Sequence, residues 1–268
     1  MGQGIALALV AGGWEVTLLA RSARPVASPL ALRTGDWGPA VGAAELVLVA
    51  TPDDAIPDAA AALVACGAVG PAHVVLHLAG PLDRSALSAL APTGAALGSF
   101  HPLQTVADSA RAPARLRGAF AGIEGDARAL AAAERLAEAL GMTPVRLRAE
   151  AKPLYHAAAV ITANYTVALA AMAERIAQSA GVPEEVVGRM YQPLLAGAVG
   201  NVAALGARRA LTGPIRRGDV ATVRAHLTAL APGDAAIYRA VGRAALALAR
   251  EAGLGEQAAA ELARLLAD

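Results

Sequence analysis

Cysteine is nearly absent. A lone Cys66 can close no disulfide within the chain, which points to a reducing compartment and a cytoplasmic protein. Charge of one sign is also missing: 23 basic residues stand against 22 acidic ones, so there is no positive excess to neutralise phosphates, and no nucleic-acid partner is expected. No group of His, Cys and carboxylate residues has metal-ligand spacing, so no metal is expected. Neither a G-x-S-x-G elbow nor a cysteine–histidine nucleophile arrangement occurs. Long apolar runs are few. IALALVAGG near the amino end lacks the preceding basic residues of a signal peptide. The run from His156 to Ala173 is interrupted by Asn164 and two threonines and falls short of the roughly 20 apolar residues of a membrane span. A buried helix, and no membrane contact, is expected there.

The composition is Ala-rich and apolar, and 268 residues suffice for two ordinary domains. In residues 1–150, short β-like runs alternate with helical stretches. The strand candidates are Trp14 to Ala20, Ala44 to Pro52, Ala72 to Gly80, Gly118 to Gly125 and Thr143 to Ala149, several of them near-continuous apolar runs, as in strands covered on both faces. Between them, IPDAAAALVACG, RSALSALAP and ARALAAAERLAEALG each end at Gly or Pro, as helices do. This alternation predicts an α/β fold with a doubly wound parallel sheet. Residues 151–268 lose the β signal and predict an all-helical domain, broken at GVP, LTGPIRRGD and APGD.

The amino terminus reads as a dinucleotide-binding unit entered late. Such a unit runs strand, G-x-G-x-x-G, helix, and its glycines permit the tight turn and close approach of a pyrophosphate. Here Gly2 and Gly4 lead directly into a helix and a second strand, so the first strand and first turn are expected upstream of Met1. That strand is central in a doubly wound sheet, and without it two neighbours would stand about 9–10 Å apart. At the end of the next strand, Arg21 and Ser22 stand where an NAD enzyme places a carboxylate, a pairing that suits the 2′-phosphate of NADP better than NAD. Thr51 and Pro52, in VATPDDAI, would lie beside the ribose or nicotinamide.

Four stretches together carry a resemblance: VATPDDAI, GSFHPLQT, KPLYHAAAVITAN and LTGPIRRGDVATVRAHLTAL. The chain resembles uncharacterised bacterial proteins in which a Rossmann-like domain precedes a helical domain of unknown function. These are similar to pyrroline-5-carboxylate reductase, prephenate dehydrogenase, ketopantoate reductase and deazaflavin-dependent NADP reductases. The resemblance implies two domains with a site in the cleft between them, and dimers formed through the helical domains. It also implies a histidine–proline step like that at His101-Pro102, and a carboxylate-holding loop in the place of LTGP. The chain departs from hydroxyacid dehydrogenases of this broad group in following Lys152, one helical turn on, with His156 rather than asparagine.

Hydride transfer needs a polarised C=O or C=N and a proton donor or acceptor beside the nicotinamide. Lys152 and His156 are four residues apart, hence on one helix face, and Asn164 continues that stripe. Three polar groups on an apolar helix are costly to bury unless used or paired. With His101 they form the expected catalytic set, although His156 also suits a core position. Thr212 and Gly213 are expected to face a substrate anion, while Arg217 either holds a carboxylate or pairs with Asp219. The reading is an NADP-dependent oxidoreductase of a small carboxylate-bearing keto acid, imine or hydroxy acid, acting as a homodimer. A non-catalytic NADP-binding, sensing or assembly protein is the alternative.

Overall fold

The computed structural model describes residues 1–267. The first unit, Met1–Asn164, opens with helix α1 (Gly2–Ala11), strands β1 (Leu18–Leu19) and β2 (Leu32–Arg33), α2 (Gly38–Gly42) and β3 (Leu46–Val49). It continues through α3 (Ile56–Ala65), β4 (Val74–His77), a 3₁₀ segment (Arg84–Thr93), β5 (Ala96–Leu103) and α4 (Ala112–Leu116). The last elements before the long helix α6 (Lys152–Ser179) are β6 (Phe120–Gly125), α5 (Ala127–Ala139) and β7 (Thr143–Arg146).

The sheet is in two pieces. β1 and β2 pair in parallel with each other, and the larger sheet has the order β3-β4-β5-β6-β7 with β3 at its edge. Among the described residues nothing pairs with the free sides of β1 and β3, the two strands between which a first strand was expected. β3, β4 and β5 are parallel, whereas β6 runs antiparallel to β5 and β7 parallel to β6. The doubly wound pattern is therefore mixed rather than wholly parallel.

Alternate residues of β4 face opposite ways. Val74 and Leu76 pack with Ile5 and Leu9 of α1, Leu116 of α4, Phe100 and the alanines of α5. Val75 faces the other layer, with Val41, Ile56, Leu63, Leu87 and Leu97. Gly4 lets α1 lie close on α4, since a Cβ there would meet the Ala112 Cβ at 2.3 Å.

The second unit begins at Tyr165, within α6 rather than near residue 150. The first turns of α6 are committed to the α/β unit by the contacts of Lys152 and Tyr155 described below. Beyond it come α7 (Glu184–Met190), α8 (Gln192–Leu205), α9 (Ala207–Ala210), α10 (Gly213–Arg217), α11 (Val220–Ala229), α12 (Pro232–Glu251) and α13 (Glu256–Leu265). Their core gathers Ile215, Val223, Leu246, Ala249, Leu262 and Leu266, and Arg175 grips Asp234 bidentately at 3.0 and 2.5 Å.

The expectation of a buried helix over His156 to Ala173 is corrected. The helical stretch Ala149–Ser179 is long and apolar enough to cross a membrane by length and composition, and none of its apolar window is buried. Leu154, Ile161 and Val167 are exposed because nothing in the described chain covers them.

Candidate active site

One row of the sheet places the chemistry. Val49 pairs with His77, His77 with Ser99, and Ser99 with Glu124. Residues paired across strands send their side chains to one face, so three polar groups from β4, β5 and β6 stand side by side at the carboxyl ends of β3 and β4. Two residues further along β5, His101 pairs with Gly122 on the same face. The first turn of α6 lies against this row. Lys152 donates from Nζ to Ser99 Oγ at 2.6 Å, and Ser99 Oγ donates to Glu124 Oε2 at 3.4 Å. The same Oε2 accepts the Arg84 backbone N–H at 2.9 Å.

Lys152 is fully buried, and it is the only lysine in a chain that uses arginine at the other 22 of its 23 basic positions. Burial lowers its pKa from 10.5 to about 8, with the charges of Glu124, Asp83 and Asp53 opposing that fall. An ammonium has three N–H donors. Among the described residues Ser99 Oγ takes one, leaving two for a ligand.

His77 and His101 are held neutral. Burial is the main cause that lowers His77 to about 4. Its bonding fixes the tautomer: Nε2 donates to the Asp83 carbonyl at 2.9 Å, while Nδ1 accepts the Ala79 N–H at 3.2 Å. A proton added at Nδ1 would face another donor. The unfolded chain therefore binds the proton more readily than the folded one between pH 6.5 and 4, and stability falls on acidification through that window. For His77 the full shift amounts to about 3 kcal/mol. Urea melts at successive pH values are expected to show this slope, and a His77→Gln variant should reduce it to the part that His101 supplies.

His101 is likewise lowered to about 4, by burial first and then by His156, Lys152 and His77. Tyr155 OH lies 3.1 Å from its Nδ1, and the His156 ring packs edge-on with centroids 5.6 Å apart. Burial raises the Tyr155 pKa against a hydrogen bond from the Gly122 backbone, so the phenol keeps its proton beside His101. Gly80 makes room for both rings, since a Cβ there would stand 2.2 Å from His156 Cδ2 and 3.0 Å from His101 Nε2.

The segment that contains Glu124, Lys152, Tyr155 and His156 also matches a family model. Residues 119–245 match DUF2520, a domain of unknown function. Among solved structures, protein TM1727 from Thermotoga maritima is 26% identical over 78% of this chain and 80% of its own, with a TM-score of 0.65. BF3122 from Bacteroides fragilis, assigned as an NADP oxidoreductase, is 22% identical over 91% and 93% with a TM-score of 0.68. The imine reductase from Myxococcus stipitatus, solved with NADP+, is 17% identical over 100% and 96% with a TM-score of 0.60. These likenesses establish a Rossmann-like α/β domain followed by a helical region. A comparison with curated proteins gave no match.

Of the residues singled out from sequence, Lys152, His156 and His101 converge at one place. Asn164 does not: it is exposed and lies three turns along α6, about 18 Å from Lys152 by helix rise. Gly2 approaches the end of β3, where its Cβ would be 2.6 Å from the Ala50 Cβ, while Gly4 serves the packing of α1 on α4. Arg21 and Ser22 are exposed just after β1, and Thr51 and Pro52 are exposed after β3. Thr212, Gly213 and Arg217 belong to the second unit. Thr212 is the N-cap of α10, Gly213 has φ +89°, and Arg217 is exposed. Asp219 caps α11 through the Thr222 N–H and hydroxyl at 3.0 and 2.7 Å. Sequence reasoning passed over His77, Ser99, Glu124 and Tyr155. The signal for Tyr155 was its place one turn beyond Lys152, and a lone lysine among arginines marked the site itself.

Proposed function

We propose that this chain is an NADP-dependent oxidoreductase that moves a hydride to or from a small carboxylate-bearing keto acid, imine or hydroxy acid. The observation that carries this reading is Lys152, a fully buried ammonium with unused donors at the carboxyl edge of a Rossmann-like sheet. The cofactor fits the residues present. No acidic residue occupies the first turn of α1, so its open N–H groups suit a pyrophosphate, and Gly2 leaves no side chain between them and the end of β3. Arg21 and Ser22 would hold the 2′-phosphate, with Thr51 and Pro52 beside the ribose or nicotinamide. When bound, NADPH supplies the hydride.

The chain's own groups handle the proton. Lys152 donates to the substrate oxygen or nitrogen as that atom gains charge, and with a pKa of about 8 it is mostly protonated at neutrality yet able to release its proton. It is held by Ser99 and set against Glu124, which leaves the substrate carboxylate to other donors. His101 would face the same ligand, with the His156 ring packed edge-on beside it. Fluorescence titration tests the cofactor: saturable NADPH binding is expected, NADH at least about tenfold weaker, and Arg21→Ser should erase the difference, worth about 1.4 kcal/mol. No saturable NADPH binding would defeat the reading.

A cytoplasmic homodimer is part of this proposal. No charge interrupts α6 between Lys152 and Glu174, and α8 carries none and buries no residue. Exposed Ile161, Val167, Leu194 and Val199 on these helices have the charge-free character of a dimer core. Lipid is a poorer cover, because the first turn of α6 is packed on the sheet. Light scattering on the purified chain is expected to give twice the 26.7 kDa chain mass.

A further inference from the structure

We propose that Glu124, acting through Ser99, is a positioning residue that keeps Lys152 as an oriented, charged proton donor. This rests on the reading of Lys152 as the proton donor and adds to it the group that sustains that role. The register alone brings the carboxylate there: Ser99 and Glu124 are paired across β5 and β6, and Lys152 reaches the hydroxyl between them. The chain runs ammonium to hydroxyl to carboxylate, each donor aimed at the next acceptor. Lys152 and Glu124 are 0% and 6% exposed, and a lysine so buried loses its charge unless a buried counter-charge opposes the desolvation.

The other groups that face Lys152 are weaker candidates. Asp53 is exposed, and Asp83 is partly exposed and occupied with the Ser85 N–H at 2.8 Å. His77 and His101 are neutral. Glu124 also accepts the Arg84 N–H, a duty that a neutral acceptor performs as well. The charge itself therefore points to Lys152.

A single lysine makes the test clean. The chain labelled with lysine carrying ¹³C at Cε gives one side-chain signal, whose titration in the cofactor-free protein reports Lys152 alone. Glu124→Gln keeps an oxygen for Arg84 and removes the charge. It is expected to lower the Lys152 pKa by about one unit, a tenfold change in its protonation equilibrium. Glu124→Asp should restore most of it. Ser99→Ala leaves Glu124 and its bond to Arg84 in place, and should also lower the pKa because the ammonium loses its acceptor. An unchanged titration in Glu124→Gln overturns the proposal. If that variant does not fold, an unchanged titration in Ser99→Ala overturns it instead. Failure to bind NADPH would defeat the functional reading and leave this measurement standing, so the two outcomes are separable.

Discussion

Lys152→Met is expected to lower the rate of any NADPH-dependent reduction that the native chain performs about 10³-fold, while NADPH affinity changes little. A positioned general acid contributes typically 10²–10⁴-fold, and Lys152 is the only buried cation in the polar row. Methionine matches the length and apolar stem of lysine, so the packing of α6 on the sheet survives. The variant has a second consequence. Glu124 is left buried beside Ser99 without its counter-charge, which offsets the stability gained by removing a buried ammonium. The double variant Lys152→Met/Glu124→Gln, which removes both charges, should recover most of that stability and none of the activity. The native chain also carries a pH signature. With its pKa lowered from 10.5 to about 8, Lys152 binds its proton more readily when unfolded, so stability rises as pH climbs from 8 to 10.5. In Lys152→Met that rise should vanish. Rates are compared per folded molecule after denaturant melts have set the folded fraction, and a variant that turns over at the native rate would remove Lys152 from the chemistry.

The alternation of apolar runs with Ala-rich helices revealed most of the sheet, because buried strands and amphipathic helices differ in period. The exceptions were β2, only two residues long, and β5. Its eight residues include Gly98 and Pro102 and were legible only as a motif around His101, although β5 is the longest strand. The tertiary pairing of Pro102 with Ala121 overrides what local propensity says. Lys152 and His156 were legible as an i, i+4 pair on an apolar helix. Ser99 and Glu124 were not, because they are 25 residues apart and meet only through the antiparallel register of β5 and β6. His77 lies in a strand that reads as apolar throughout, and its significance comes from the Asp83 carbonyl that a later turn brings to it. The exposure of α6 was hidden for a different reason: periodicity measures how apolar a helix face is, and the chain's own sequence does not say what covers it.

Gly98→Ala is expected to destabilise the protein by about 3 kcal/mol, at the upper end of overpacking costs. A Cβ at Gly98 would stand 2.6 Å from the Glu124 carbonyl oxygen, 3.0 Å from the Ala129 Cβ and 3.1 Å from Leu76 Cδ2. The nearest of these is backbone, which cannot rotate away as a side chain does. Its register partner Gly125 has φ +147° and would set its own Cβ 2.5 Å from the Leu97 carbonyl, so neither strand has slack where they meet. β5 and β6 must therefore part, and they part beside Ser99 and Glu124. The bond from Lys152 to Ser99 and the seat of the ammonium should loosen together, so that the lysine signal titrates at an altered pKa even in the fraction that remains folded. Gly188→Ala is the matching control. Gly188 lies on α7 with nothing within 4 Å of a Cβ, and alanine there should add about 0.5–1 kcal/mol by restricting the unfolded chain. Thermal melts of the two variants should thus move in opposite directions, and equal shifts would show that the β5–β6 contact has room the geometry denies it.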